Sequence, residues 1–193
     1  MKIPLVIFSL LLSLLTLPNA SATSVLPISL EQLSVRASLI FHAEVISNEV
    51  KRDTQSGQIA TYTEFRIIDS IKGDVEQTHT IKQIGGRHEE SKVIMRVHGV
   101  PTFQVSKNYV VFLPEKSSLG FSSPLGLHQG SFSVLTIDGE QVVSNGSNLL
   151  RPTPVSAQTN KSTIQIPLAV KASNPTQSRL DDFMNTIRAY NTQ

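Results

Sequence analysis

The sequence predicts a mainly β domain, a small barrel or sandwich flanked by a short N-terminal helix and an amphipathic C-terminal helix. Three observations carry that prediction. Between Leu39 and Val143 apolar residues recur with a period of two in short runs, the spacing of strands with one buried face. Turn-forming residues punctuate those runs at intervals of roughly eight to twelve residues, as in small all-β folds. Helical spacing is confined to the two ends, around Leu30 and around Leu180.

The elements follow in order. Met1-Lys2, the apolar run Ile3 to Leu15, the break at Pro18-Asn19 and the small residues Ala20-Ser21-Ala22 form the pattern of a cleavable signal peptide over 1–22. The apolar run is shorter than the roughly 20 residues that span a bilayer. No second run of that length follows, so the sequence implies export with no stable membrane anchor after cleavage. The β domain occupies 23–143. Ser29 and Gln32 form a capping box for a helix from Leu30 to about Ala37. Leu39, Phe41, Ala43 and Val45 then alternate with His42 and Glu44 as a half-buried strand. A polar turn is expected from Asn48 to Gly57, with Asp53 and Ser56-Gly57 as breakers.

A second strand runs from Ile59 to Ile68 and a third from Thr78 to Ile84, after the turn Lys72-Gly73-Asp74. Gly85-Gly86 ends it. A fourth strand covers Val93, Met95 and Val97, alternating with Arg96 and His98. Tyr109 to Leu113 is almost wholly apolar and reads as a central strand buried on both faces. Gly126 to Gly130 forms a tight corner. Phe132, Val134 and Ile137 open a hairpin whose turn is Asp138-Gly139, leading into Gln141 to Val143. The stretch 144–163, rich in Ser, Asn, Thr and Pro, reads as a polar loop or linker. Residues 164–193 supply an edge strand at Ile164, Ile166 and Leu168 and a helix packing on the barrel. That helix is capped by Asn174, carries Pro175 in its first turn, and presents Leu180, Phe183, Met184 and Ile187 on one stripe.

Composition narrows the chemistry. The chain has 17 Lys+Arg against 15 Asp+Glu, and Lys2 departs with the signal peptide. The near-neutral balance of the remainder argues against nucleic acid as a partner despite a sequence pI near 9.0. With no cysteine, disulfide scaffolds, thiol catalysis and thiolate metal sites are excluded. The histidines at 42, 79, 88, 98 and 128 show no H-E-x-x-H or H-x-H spacing. His42-Ala43-Glu44 matches the H-x-E half of a zinc deaminase motif, but the cysteine half is missing. These histidines read as solvated surface residues, and no metal or cofactor is expected. G-x-S-x-G is absent, so serine hydrolysis has no elbow to act from. No residue is assigned a catalytic role.

Several segments in fixed order resemble a known pattern: Ser38 to Val45, Tyr62-Thr63-Glu64-Phe65-Arg66-Ile67, Ile71-Lys72-Gly73-Asp74, Met95 to Phe103, Tyr109 to Leu113 and Gly126 to Val134. Together they are similar to a group of exported bacterial proteins of unassigned activity with a netrin-like OB-barrel pattern, the fold of tissue inhibitors of metalloproteinases. The resemblance spans about Ser29 to Val143. It implies a non-enzymatic, protein-binding module that partners a secreted matrixin-type metalloprotease as inhibitor or export helper, in the periplasm or outside the cell. Inhibitors of that class act through an amino-terminal cysteine, which this chain lacks.

The expected contact surface is the segment Gly85 to Pro101 with the corner Gly126 to Gly130, and its named residues are Gly85, Gly86, Arg87, Arg96, His98, Pro101 and Gln129. They combine flexible glycines and cations with an apolar rim. Two other readings stand beside this one. A metal-binding protein or metal-dependent hydrolase would gather histidines from several strands. An OB module for oligosaccharide or single strands would need a basic groove with exposed aromatics.

Overall fold

In the computed structural model, which describes residues 26–146 and 177–192, the chain builds a seven-stranded antiparallel sheet, a separate two-stranded hairpin and two helices. The signal-peptide stretch, nearly all of 144–163 and the edge strand expected at Ile164 lie outside the described residues. Among the described residues, no helix is long and apolar enough to cross a membrane.

Helix α1 (Leu30–Arg36) starts where the sequence predicts. Ser29 Oγ accepts from Gln32 N at 3.1 Å while Gln32 Oε1 accepts from Ser29 N at 3.0 Å. Each side chain satisfies a backbone donor that the first helical turn leaves free. At the other end Lys72 Nζ donates to the carbonyls of Ser34 and Val35 at 2.9 and 3.0 Å, a cation on the negative pole of the helix.

The long strands β1 (Leu39–Arg52) and β2 (Ile59–Lys72) pair along their whole length, and β3 (Thr78–Ile84) pairs with β2. The short strands β4 (Gly86–His88) and β5 (Val93–Met95) form the separate hairpin. The chain then returns to the middle of the main sheet as β6 (Asn108–Leu113), beside β1. Strands β7 (Ser131–Ile137) and β8 (Glu140–Ser144) follow across the Asp138-Gly139 turn. Both turn residues have positive φ, 51° and 81°, as a two-residue type I′ turn requires. The two-residue β9 (Ser178–Arg179) pairs with β8 and leads into helix α2 (Leu180–Asn191). The sheet order is β3-β2-β1-β6-β7-β8-β9.

The central strands are buried on both faces. Paired residues of β1 and β6 share a face, so Ile40 with Phe112 and His42 with Val110 point one way, while Phe41 with Val111 and Ala43 with Tyr109 point the other. On the first face α1 and α2 cover Ile40, Val110, Phe112, Phe132, Val134 and Val143 with Leu30, Leu33, Phe183, Met184 and Ile187. On the second face Phe41, Val45, Phe65, Ile81, Tyr109 and Val111 enclose Phe103, which comes from the loop before β6. Phe103 stands edge-on to both Phe65 and Tyr109, each at 5.0 Å.

Four expectations are corrected. The sheet does not close into a barrel: β3 and β9 end it as separate edges. A small closed barrel buries only the inner face of its strands, whereas here apolar residues on both faces of β1 and β6 demand a covering layer on each side. The turn expected from Asn48 is strand as far as Arg52, because Asn48 to Arg52 pair with Thr63 to Ile59. The fourth strand stops at Met95, so Val97 is not part of it. Helix α2 begins at Leu180, beyond the Asn174-Pro175 start, because Ser178 and Arg179 are held in extended pairing with β8. The expected cap itself lies outside the described residues.

Candidate functional site

The most distinctive surface lies where β3 hands the chain to the separate hairpin. Gly85 and Gly86 make that step with φ of 97° and 137°, a conformation side chains oppose. Space forbids side chains as well: a Cβ on Gly86 would sit 2.6 Å from Thr61 Oγ1 and 2.7 Å from Val50 Cγ1. β4 therefore lies flush against the distal ends of β1 and β2. Thr61 Oγ1 donates to the Gly85 carbonyl at 2.7 Å, and Gly85 N donates to Ile59 O at 2.8 Å.

β4 and β5 pair as Gly86 with Met95, Arg87 with Ile94 and His88 with Val93. At the hairpin tip His88 Nδ1 accepts from Ser91 N and meets Ser91 Oγ at 2.8 Å, and Lys92 takes a left-handed φ of 53°. The result is a small rigid projection with apolar side chains in water: Val93 is 45% exposed, Ile94 47% and Val97 37%. Arg87 makes a loose exposed pair with Glu89, while Arg96 and His98 are exposed. After the turn closed by Val100 N on Val97 O, Pro101 O accepts from Gln83 Nε2 and Phe103 anchors the loop in the second core.

The structure brings the two expected halves of this surface together. Gly99 abuts the corner, with Leu127 Cδ1 only 2.6 Å from where its Cβ would be. The corner itself is a turn of 3₁₀ helix, Leu127–Gly130, entered through positive φ at Gly126 and Leu127. Gln129 faces inward, however. It is buried; its Oε1 accepts from Ile28 N at 2.9 Å and its Nε2 donates to Leu26 O at 3.2 Å. Its own carbonyl accepts from Asn145 Nδ2. Gln129 therefore clamps the chain before α1 to the end of β8 and presents nothing to a partner.

The histidines do not behave alike. His98 and His128 are exposed and His88 is half-buried in its tip turn. His42, expected in solvent, is only 6% exposed, and its Nε2 is buried with no hydrogen-bond partner. Burial holds its pKa below the ordinary value, opposed in part by Asp69. The cause of the misreading is the two-sided sheet, in which the polar phase of β1 also faces a core. His79 Nε2 is buried and unpartnered too, and burial, then Lys116, lowers its pKa. Among the described residues, no three His, Asp or Glu side chains gather as a metal site would require.

A buried polar cluster at the β1–β2 turn was not foreseen. Asp53 accepts from Ser56 N and Ser56 Oγ at 2.8 and 2.6 Å, from Tyr62 OH at 2.5 Å and from Lys82 Nζ at 2.9 Å. Those bonds, led by Ser56, hold its carboxyl well below the usual carboxylate range, and the bond to Asp53 pushes the Tyr62 phenol up to about 12. Lys82 also lies 4.6 Å over the Phe121 ring. Every polar atom of the Asp53 carboxylate is engaged internally, so the cluster ties the ribbon end to β3 and offers no free base. The Asp53-x-x-Ser56 spacing of an Asx turn was the available signal.

No known protein family matches this chain, and no curated protein does.

Proposed function

We propose that this protein is an exported, non-enzymatic binding module, and that the β4–β5 hairpin with Arg96 to Pro101 is its contact surface. The observation that carries the reading is the hairpin itself. With the loop that follows, it spends three β-branched side chains, Val93 and Ile94 of β5 and Val97 of the loop, on solvent rather than on either core, yet its geometry is fixed by Gly85, Gly86 and Phe103. Rigid apolar residues beside arginines are what protein interfaces favour. An enzyme would place polar groups around a substrate-sized cleft, and the most polar cluster here is internally saturated.

The netrin-like reading belongs to the same proposal. It is supported by the ordered segments from Ser38 to Val134, which fall on β1, β2, the end of β5 with the loop after it, β6 and the corner leading into β7, and by a long β1–β2 pair whose register shifts near Ile40, His42 and Val45. It carries with it an exported metalloprotease as the partner and a periplasmic or extracellular location. The test is capture from the exported fraction of the source organism with purified protein lacking residues 1–22, followed by mass spectrometry. A metalloprotease retained by the native protein and lost on Val93→Ser with Ile94→Ser is the expected result. Recovery of no metalloprotease, or equal recovery by the substituted protein, would overturn the proposal.

A further inference from the structure

Strand β5 has one partner. It pairs with β4, and among the described residues Val93–Met95 make no backbone hydrogen bond to a third segment. Natural sheets blunt such edges by keeping them short, as the three-residue β5 is, or with charge, proline or a cover, because an open edge recruits another strand. This edge does the opposite at its centre: Val93-Ile94-Met95 is apolar and β-prone, with Val93 and Ile94 on opposite faces and both about half exposed. The charges sit at its ends. Lys92 and Arg96 bracket the triplet, and neither is in an ion pair among the described residues. The acidic residues of the hairpin, Glu89 and Glu90, are confined to its tip, where Glu89 meets Arg87.

That arrangement selects among occupants. Lys92, left-handed at φ 53°, and Arg96 lie just outside the strand, so a second copy adding antiparallel about Ile94 would gather Lys92 of one copy and Arg96 of the other at each end, and a parallel in-register copy would bring Lys92 to Lys92. Like charges brought together at both ends of a junction oppose it, so the edge disfavours itself. We infer that β5 captures an extended segment of a different protein, apolar at its centre and acidic at both ends, which adds as a third strand to the β4–β5 hairpin. Main-chain hydrogen bonds supply the affinity, Val93 and Ile94 contact alternate side chains of the guest, and Lys92 and Arg96 fix its register. The inference rests on the binding-module reading and specifies how its partner is held.

The probe is an end-blocked nine-residue peptide of alternating valine and threonine with two aspartates at each end, labelled for fluorescence anisotropy. The full chain lacking 1–22 should bind it at least tenfold more tightly than the same peptide ending in lysines. A proline at the peptide's central position should abolish binding. Lys92→Glu with Arg96→Glu should reverse the preference, with circular dichroism confirming an unchanged fold; both residues are exposed and touch neither core. Equal affinity for the two peptides, binding that survives the central proline, or self-association by sedimentation at micromolar concentration would each overturn the inference. Capture of a metalloprotease unaffected by the double charge reversal would leave the binding module standing and remove the strand-addition mode. Peptide discrimination without any captured protease would leave strand addition standing and remove the metalloprotease as the partner.

Discussion

Phe183→Ala tests whether α2 is a structural wall of the domain or a loosely attached tail. The ring is 1% exposed, and its centroid lies 4.7 Å from that of Phe132, tilted, and 6.4 Å from that of Phe112, edge-on. Removing a buried phenylalanine costs about 3–5 kcal/mol, and two lost ring contacts at ~0.5–1.5 kcal/mol apiece set the expectation toward the upper end. Against a typical domain stability of ~5–15 kcal/mol that is a large fraction, equivalent to a fall in Tm on the order of 10 °C. Urea unfolding followed by far-ultraviolet circular dichroism reads it directly. The transition midpoint should drop while its slope holds. Leu135→Ala, at a side chain 43% exposed on β7, should stay within about 0.5 kcal/mol of the native protein. A loss below about 1 kcal/mol for Phe183→Ala would refute the reasoning, since the helix layer would then contribute no more than a surface residue.

Two predictions concern protons. His42 and His79 have folded pKa values below the ordinary 6.5, so above that value both states are neutral and stability is unaffected. Below it the unfolded chain binds protons first, and stability falls with pH until the folded pKa values are reached. His42→Leu should shrink the loss between pH 7.5 and pH 5 by about one proton's worth of linkage; an unchanged pH dependence would show that His42 titrates freely. Asp53 has the same sign in a lower window: its depressed pKa gives stability that is complete above the ordinary value of 3.8 and is lost as pH falls below it. Tyr62→Phe deletes one donor to that carboxylate, so the acid-unfolding midpoint should move to higher pH. The same substitution should remove a phenol titrating at about 12 from the ultraviolet absorbance curve. An unmoved acid midpoint would mean that the Tyr62 bond is absent in solution.

The sequence read well where local chemistry decides geometry. The Ser29–Gln32 box, the apolar run of β6 and the Asp138-Gly139 turn each carry their instruction within a few residues, and each appears in place. It read poorly where distant pairing overrides local pattern. Asn48 to Arg52 look like a turn because most of them are polar, yet they are strand: four of the five are exposed, and they are held by backbone pairing to Ile59–Thr63, where Ile59, Ala60 and Thr63 are buried. Arg179 caps α2 only because Ser178 is first claimed by β8, a pairing between residues far apart in the chain. His42 was assigned to solvent on the premise that one face of β1 is wet, a premise the second apolar layer removes. For the candidate site, glycines and arginines pointed to the stretch that forms the β4–β5 hairpin and the loop after it. They could not show that Gln129 turns inward, because its partners, Leu26 and Ile28, lie about a hundred positions away.

The hairpin of β4 and β5 contributes no side chain to either hydrophobic cluster. On the proposed function, recognition and stability are thereby written in separate parts of the sequence. Substitutions between Arg87 and Arg96 should carry little penalty in folding, provided Gly85, Gly86 and Phe103 keep the projection at its angle, so that under the proposed function they would alter binding alone. A lineage tracking a changing partner could rewrite those few positions freely, and laboratory selection could do the same, using the two-layered sheet as an inert frame.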